Sequence, residues 1–164
     1  MITFRAIERG DLTSLKNFRN SEFVLPFVRE YRHLNDSDQE AWYNSYLASR
    51  HKADFDQDIN IIEEDNNGKI LAVGGYTRIE WRNRRAEVTF YNVSAHDIII
   101  KDCLLEIVRT GFNHFNFHKI TWPVYGHDPK LGLYKSVFDV EAILKDEYFW
   151  DGKFQDRIYL SKIK

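Results

Sequence analysis

The sequence predicts an α/β fold of the α+β kind, with a mostly antiparallel central sheet of about seven strands flanked by helices. Short runs with the two-residue alternation of strands are interleaved with longer runs in which apolar residues recur at helical spacing. An Asp-Gly pair near the C-terminus separates two strand-like runs and predicts a tight hairpin. No linker, repeat or low-complexity stretch divides the 164 residues, so we expect a single domain over residues 1–164.

The first two predicted elements are a strand and a short helix. Residues 2–7 (ITFRAI) have the alternating pattern of a half-buried strand. The apolar residues that follow are spaced as in a helix, and either Asp11 or Thr13 is placed to cap its first turn. Both residue types have a side-chain oxygen that accepts a hydrogen bond from the free N–H groups of a helix start.

A second helix is predicted over about residues 37–49. Ser37 is followed three residues later by Glu40, which is the spacing of a capping box, in which each side chain binds the other residue's backbone N–H. Apolar and aromatic residues then recur on one side of the helix. We therefore expect this helix to bury one face.

Three strands and one long helix are predicted in the middle of the chain. Residues 58–64 and 70–81 are joined by a polar loop with Gly68 at its turn, which predicts an antiparallel hairpin. Residues 86–93 are rich in β-branched and aromatic side chains and form a further strand. The helix that follows carries apolar residues on one face and should end near Asn116.

The C-terminal part predicts three strands and a short helix. Residues 119–124 form a strand and residues 130–136 a short helix. Residues 147–161 form two strands around the Asp-Gly turn. The predicted order is β-α-α-β-β-β-α-β-α-β-β, with one crossover helix.

Composition limits the class of protein. Hydrophobic residues make up 43% of the chain and aromatic residues 15%, which is typical of a folded protein. The 23 basic and 25 acidic residues leave a net charge of −2, so we expect no nucleic-acid or membrane partner. Without a signal peptide or a long apolar run, the protein is expected to be cytoplasmic. The single cysteine, Cys103, excludes an internal disulfide and is expected to pack in the core.

Four stretches, in this order, resemble the GCN5-related N-acetyltransferase (GNAT) family, especially its branch that acetylates ribosomal-protein N-termini and amino-sugar nucleotides. They are ITFRAIERGDL, then ILAVGGYTRIEW with AEVTFYNV, then FNFHKITWPV, and finally FWDGKFQDRIYLS. The resemblance spans nearly the whole chain. It implies an N-acetyltransferase that uses acetyl-CoA as cosubstrate and no metal. Its acceptor would be a primary amine of a small molecule, such as an amino sugar, or a peptide N-terminus, and the protein would be a monomer or homodimer.

The resemblance also implies where acetyl-CoA would bind. In the family the cofactor lies where two parallel strands splay apart, here residues 86–93 and 119–124, and its pyrophosphate sits on the loop before the main helix, here residues 94–102. The implied cofactor-binding residues are Thr89, Phe90, Tyr91 and Asn92 for the pantetheine arm, Asp97, Ile98, Ile99, Ile100, Lys101 and Asp102 for the phosphates, and His127 beside them.

The phosphate loop departs from the family pattern. Members typically show a glycine-rich loop, whereas this chain has AHDIIIKD and no glycine between Gly75 and Gly111. Backbone amides at a helix start can bind anions without glycine, but β-branched side chains crowd their approach. Lys101 would either add a compensating charge or be solvated. Two alternatives therefore stay open: an inactive GNAT-fold binding protein that has lost acetyl-CoA binding, and a transferase that uses another acyl or aminoacyl donor.

Two residues are expected to carry the chemistry, because acylation of an amine needs a proton acceptor for the amine and a proton donor for the departing thiolate. Glu87 stands where this branch often has an acidic residue and could accept the amine proton, or it could pair with Arg84 or Arg85. Tyr134 matches the family's proton donor, and a phenol with a pKa of about 10 suits that role. The alternative for Tyr134 is a packing role in the core.

Three other features allow more than one interpretation. His114 and His118 have helical metal-ligand spacing, but no further ligands complete a recognisable set, so no metal site is predicted. The RNRR stretch at residues 82–85 is either a charged turn or a contact for an anionic acceptor. The aromatic residues of the second helix either stack on a substrate or fill the core; they are Trp42, Tyr43 and Tyr46.

Overall fold

The computed structural model describes residues 2–64, 69–93 and 96–164. Its strands are β1 Ile2–Ala6, β2 Asp58–Glu64, β3 Lys69–Glu80, β4 Arg85–Asn92, β5 Lys119–Tyr125, β6 Asp139–Trp150 and β7 Lys153–Ile163. Its α-helices are α1 Leu12–Arg19, α2 Asp36–Arg50, α3 Asp97–Asn113 and α4 Leu131–Tyr134, and two short 3-10 turns lie at Arg9–Asp11 and Leu25–Phe27.

The strands form one seven-stranded sheet in the order β1-β2-β3-β4-β5-β7-β6. Strands β4 and β5 are parallel, and the other neighbouring pairs of the described sheet are antiparallel. A parallel pair needs a crossover connection, and α3 is the element that supplies it. The predicted fold class, a mostly antiparallel sheet of seven strands flanked by helices, is confirmed.

The parallel pair is the feature that opens the sheet. Strands β4 and β5 are in register only over Arg85–Lys119, Ala86–Ile120 and Glu87–Thr121. Beyond this point β4 continues for five residues to Asn92 and β5 for four residues to Tyr125, but the two strands no longer pair. The splay predicted for these two strands is therefore present, and it leaves a gap between their C-terminal ends.

Hydrophobic cores lie on both faces of the sheet. On one face α3 packs through a stripe at helical spacing, which includes Ile100, Leu104 and Ile107, against β3, β4 and β5. On the other face α1 and α2 cover β2 and β3, and Tyr46 is fully buried there. Because side chains alternate along a strand, residues on β4 divide between the two faces. Glu87, Thr89 and Tyr91 lie on the face of α1 and α2.

Gly111 permits the close approach of α3 to the sheet. A Cβ atom at this position would lie 2.7 Å from Ile120 Cδ1 and 3.0 Å from the hydroxyl of Tyr76. Both distances are shorter than ordinary van der Waals contact, so a side chain would push the helix outward. The buried Tyr76 hydroxyl donates a hydrogen bond to the carbonyl of Ile107 on the same helix. Cys103 is fully buried between helix and sheet, as predicted.

The capping box predicted for α2 is wrong, and Asp11 stands at the N-cap position of α1 without a capping hydrogen bond from its side chain. Helix α2 begins one residue before Ser37, and its capping box is formed by Asn35 and Asp38, with backbone-to-side-chain distances of 2.9 Å and 3.0 Å. Asparagine is as good a cap as serine, and Asp38 has the required spacing from it. Asp11 precedes α1 but does not cap it, because its carboxylate accepts hydrogen bonds at 2.8 Å and 2.9 Å from the Arg5 guanidinium.

The closing hairpin is longer than predicted. Strand β6 starts at Asp139, eight residues before the predicted start at 147, and pairs with β7 along most of its length. Its first nine residues are exposed, so they show no clear alternation between buried and exposed side chains. The Asp-Gly turn is confirmed, with positive φ at Asp151 and Gly152 (47° and 78°). Helix α3 ends at Asn113, three residues earlier than predicted.

The loop between β2 and β3, including Gly68, lies outside the described residues, as do residues 94 and 95 of the predicted phosphate loop. Within the described part of the chain, no helix combines the length and the apolar character needed to cross a membrane.

Candidate active site

A cavity of about 660 Å³ lies where β4 and β5 splay apart. Its walls come from the last residues of both strands, the end of α1, the 3-10 turn Leu25–Phe27 and the segment that contains α4. Many of its walls are aromatic rings, among them Phe90, Tyr91, Trp122 and Tyr134. The cavity therefore presents strand ends that do not pair with each other and a largely apolar surface, which suits an extended apolar arm of a ligand.

Tyr134 is a buried tyrosine on the wall of this cavity. Helix α4 places its ring 4.5 Å from the ring of Trp122, and 7% of the residue is exposed. The hydroxyl lies near the carboxylate of Asp128. Burial, and then the nearby charge of Asp128, raise the pKa of Tyr134 well above its usual value. The hydroxyl therefore holds its proton at neutral pH, and more firmly than a free phenol does.

Asp128 is a cavity-lining residue that the sequence analysis missed. It lines the same cavity, and its carboxylate also accepts a hydrogen bond from the backbone N–H of Lys130 at 2.8 Å. Burial raises the pKa of Asp128, and the hydrogen bonds from Lys130 and Tyr134 oppose that effect. An Asp-Pro pair is a turn signal, and the side-chain bond to the residue two positions on is an Asx turn. That signal predicts the turn but not the contact with Tyr134.

His127 does not line the cavity, which differs from the prediction for the cofactor site. Its ring stacks with Phe27, Tyr148 and Trp150 at centroid distances of 5.2, 6.0 and 5.9 Å. Both ring nitrogens are buried and lack a hydrogen-bond partner in the described structure. Burial lowers the pKa of His127, so the ring is neutral in the fold. The packing histidine and the cavity-facing aspartate are adjacent in the sequence.

Glu87 lies beside the splay point and is paired with an arginine. Its carboxylate accepts a hydrogen bond from Arg78 at 3.1 Å, and 20% of its side chain is exposed. The sequence alternatives for its partner, Arg84 and Arg85, bind Asn116 and Glu80 instead. Glu87 lines neither of the two described cavities, although it shares a strand face with residues that do.

The RNRR stretch forms the turn between β3 and β4, with positive φ at Arg84. Residues 82–84 lie in the turn, and Arg85 is the first residue of β4. The cavity is lined by residues at the other end of that strand. The arrangement agrees with a charged turn that is remote from the cavity.

All three isoleucines of the predicted phosphate loop belong to helix α3. Ile100 is buried in the core, Ile99 packs against it, and Ile98 is 77% exposed. The helix starts at Asp97, whose carboxylate pairs with the ammonium of Lys130 at 2.5 Å. Lys130 also lines the large cavity. Lys130 therefore connects the first turn of α3 with the wall of the cavity. Lys101 and Asp102 lie one turn further along the helix and line neither described cavity.

A second cavity of about 250 Å³ lies on the α1 and α2 face of the sheet. Trp42, Arg19 and Thr89 contribute to its walls, whereas Tyr43 and Tyr46 are buried in the core. Phe18 and Tyr91 line this cavity and the large one. The two cavities therefore adjoin across these rings. Among the described residues, no group of His, Cys, Asp and Glu side chains is arranged to hold a metal ion.

Comparison with known proteins finds acetyltransferases along the whole chain. No family model matches the sequence. The spermidine N(1)-acetyltransferase of Vibrio cholerae serotype O1 is 25% identical over 169 residues, which cover 99% of this chain and 94% of that protein. Mutant forms of the spermidine/spermine N-acetyltransferase from Vibrio cholerae superpose with a TM-score of 0.81 at 23% identity, covering 99% of this chain and 93% of that chain.

A Vibrio cholerae spermidine N-acetyltransferase crystallised with CoA and spermine gives a TM-score of 0.75 at 24% identity, with 99% of this chain and 95% of that chain covered. These similarities extend over all the elements that build the splayed pair and the cavities. The chain therefore shares the fold of these acetyltransferases, which is the GCN5-related N-acetyltransferase fold that the sequence predicts.

Proposed function

We propose that this protein is an acetyl-CoA-dependent N-acetyltransferase that acts on a primary amine. The observation that carries the proposal is Tyr134, a proton-bearing hydroxyl on the wall of a cavity between two splayed parallel strands. The fold is shared with acetyltransferases over 99% of the chain, one of them crystallised with CoA. A cavity of about 660 Å³ falls within the range of small-molecule and cofactor sites.

The residues present fit acetyl-CoA at two points. The ends of β4 and β5 line the gap without pairing to each other, so the edge of β4 that faces β5 is open to an extended arm. The helix start at Asp97 offers free N–H groups and the positive end of a helix dipole, which favour an anion. Lys130 is placed between this helix start and the cavity, and we assign it the compensating charge that the sequence suggested for Lys101.

In the proposed reaction, acetyl-CoA supplies an acetyl thioester for direct attack by the amine. Tyr134 holds the proton for the departing sulfur on its hydroxyl oxygen, and Asp128 holds that hydroxyl in place. Glu87 would take the proton of the amine through water, because it shares a strand face with Thr89 and Tyr91, which line the second cavity.

Spermidine and spermine are the acceptors to test first, because the relatives are named for them. The large cavity has two features that suit an amine: aromatic faces, which attract cations, and the carboxylate of Glu22 on its wall. The amine of an amino sugar or a peptide N-terminus meets the same chemical requirement, a neutral nucleophile that reaches Tyr134. These acceptors belong in the same assay.

Titration calorimetry with acetyl-CoA tests the proposal, followed by an assay of CoA release with each amine. Acetyl-CoA at one hundred times its Kd should stabilise the fold by about 2.7 kcal/mol, which a thermal-shift measurement detects. Tyr134→Phe should bind acetyl-CoA as the parent does and release CoA far more slowly. Absence of acetyl-CoA binding at millimolar concentration would refute the proposal and favour the inactive binding protein.

A further inference from the structure

We propose that the second cavity is an acceptor subsite that binds a carboxylate through Arg19, so that the acceptor is a small primary amine with a carboxylate at its other end. The inference rests on the proposed acetyl transfer and deepens it by assigning the acceptor class. It starts from Arg19, which lines the cavity on the α1 and α2 face of the sheet and has no carboxylate as its counter-ion among the described residues.

The guanidinium of Arg19 is only partly satisfied. One of its terminal nitrogens, Nη2, donates to the backbone carbonyl of Glu30 at 3.0 Å. The other, Nη1, is buried and lacks a hydrogen-bond partner. Within the described part of the chain, no carboxylate oxygen lies within 4.0 Å of this side chain. Arg19 therefore lines the cavity as a permanent cation whose charge no nearby carboxylate of the described residues balances, so an anion bound in the cavity would be its partner.

The rest of the cavity suits a small, singly charged group. Its polar walls are neutral and include the buried amide of Gln39, the amide of Gln57 and the hydroxyl of Thr77, and no acidic residue lines it. The single positive charge of one guanidinium, with neutral amides around it, balances the single negative charge of a carboxylate. A phosphate dianion would need a second cation, which the lining residues do not supply. The indole of Trp42 covers an apolar part of the wall, where a short methylene chain would lie.

The position of the subsite directs the amine toward the reaction. Tyr91 and Phe18 line both cavities. Tyr91 belongs to the end of β4 that no longer pairs with β5. A ligand with its carboxylate on Arg19 would extend past these rings, and its amine would face the cavity that contains Tyr134. A polyamine in the same position would place a second ammonium beside Arg19, where like charges repel.

A matched pair of acceptors tests the inference. Butane-1,4-diamine and 4-aminobutanoate have the same chain length and differ in one terminal group, an ammonium in the first and a carboxylate in the second. With the parent protein and saturating acetyl-CoA, we expect kcat/KM for 4-aminobutanoate to exceed that for the diamine by at least about tenfold. Calorimetry in the presence of CoA should show binding of 4-aminobutanoate independently of turnover.

Arg19→Gln should lower kcat/KM and affinity for 4-aminobutanoate by about 10- to 100-fold and leave turnover of the diamine unchanged or raised. Arg19→Lys, which keeps the charge, should retain part of the preference. Arg82→Gln, on the exposed turn before β4, is the control and should behave as the parent. Circular dichroism and melting temperature establish that each variant is folded.

The outcomes separate this inference from the proposed function. If 4-aminobutanoate does not bind, or if Arg19→Gln binds and acetylates it as well as the parent does, the inference is wrong even though acetyl-CoA is bound and other amines are acetylated. If acetyl-CoA itself does not bind, the proposed function fails, and binding of 4-aminobutanoate by calorimetry still decides whether the Arg19 subsite exists.

Discussion

Tyr134→Phe is the substitution that tests the chemistry most directly, because it removes one oxygen atom and little else. The phenylalanine ring can keep the packing of Tyr134 against Trp122, at 4.5 Å between ring centroids. Loss of a positioned general acid reduces rates by about 10²- to 10⁴-fold, which corresponds to about 3 to 5 kcal/mol in the activation barrier. We expect this loss in kcat, with the Kd for acetyl-CoA unchanged.

The same substitution has a smaller, calculable effect on stability. The carboxylate of Asp128 loses its interaction with the Tyr134 hydroxyl but keeps the hydrogen bond from the Lys130 N–H at 2.8 Å. A hydrogen bond to a charged group contributes about 1.5 to 3 kcal/mol, and protonation of Asp128 limits the loss, so we expect a destabilisation of about 1 to 2 kcal/mol. The effect should diminish at acid pH, where Asp128 gains its proton.

The control for this experiment is Tyr76→Phe. Tyr76 is also buried, burial also raises its pKa, and its hydroxyl also makes a hydrogen bond, but it lines neither described cavity. It should lose stability to a similar degree and retain kcat. Steady-state CoA release and urea unfolding measure the two quantities for both variants. Equal kcat in Tyr134→Phe and the parent would refute the assignment of Tyr134 as the acid, whatever happens to stability.

The remaining predictions concern three ionisable groups. Glu87→Gln should lower kcat by about 10²-fold while Arg78→Gln stays within about threefold of the parent; small, equal effects in both would restrict Glu87 to a structural ion pair. Burial lowers the pKa of His127, so the free energy of unfolding should fall as pH drops below about 6.5, where the unfolded chain takes up a proton more readily than the fold does. His127→Phe should reduce the difference in unfolding free energy between pH 8 and pH 5, as measured by urea unfolding. The same difference in variant and parent would contradict this. Burial raises the pKa of Asp128, so ionisation of Asp128 reduces stability as pH rises from about 4; Asp128→Asn should flatten that slope in thermal melts, and kcat should fall with it.

Periodic patterns predicted the parts of the fold that repeat. Strands and helices place side chains at fixed intervals, so the apolar stripe of α3 and the alternation in β4 were legible without coordinates. The same rule explains the extent of the closing hairpin, which was underestimated. Strand β6 lies at the sheet edge, where exposure on both faces removes the alternating burial that would mark it from Asp139 onward.

The candidate site was predicted only as far as a motif could place it. Tyr134 lies on the cavity wall, as the family resemblance implied, because α4 is a regular turn with the expected length of chain before it. His127 and Asp128 are consecutive residues of a loop, and backbone dihedrals decide which of them faces the cavity. The residue spacing in the sequence does not reveal which of the two faces the cavity. The prediction therefore named the histidine and missed the aspartate.

The missing glycines of the phosphate loop have a structural explanation in α3. From Asp97 onward the chain is already helical, and two of its three consecutive isoleucines are used to join the helix to the core. Asp97 stabilises the positive end of the helix dipole, and Lys130 balances its charge from the cavity side. A phosphate bound there would contact the N–H groups of the helix start and the ammonium of Lys130. It would compete with the Asp97 carboxylate for that ammonium. Affinity for acetyl-CoA would then depend on how readily Lys130 exchanges one anion for the other, rather than on backbone freedom that glycine supplies.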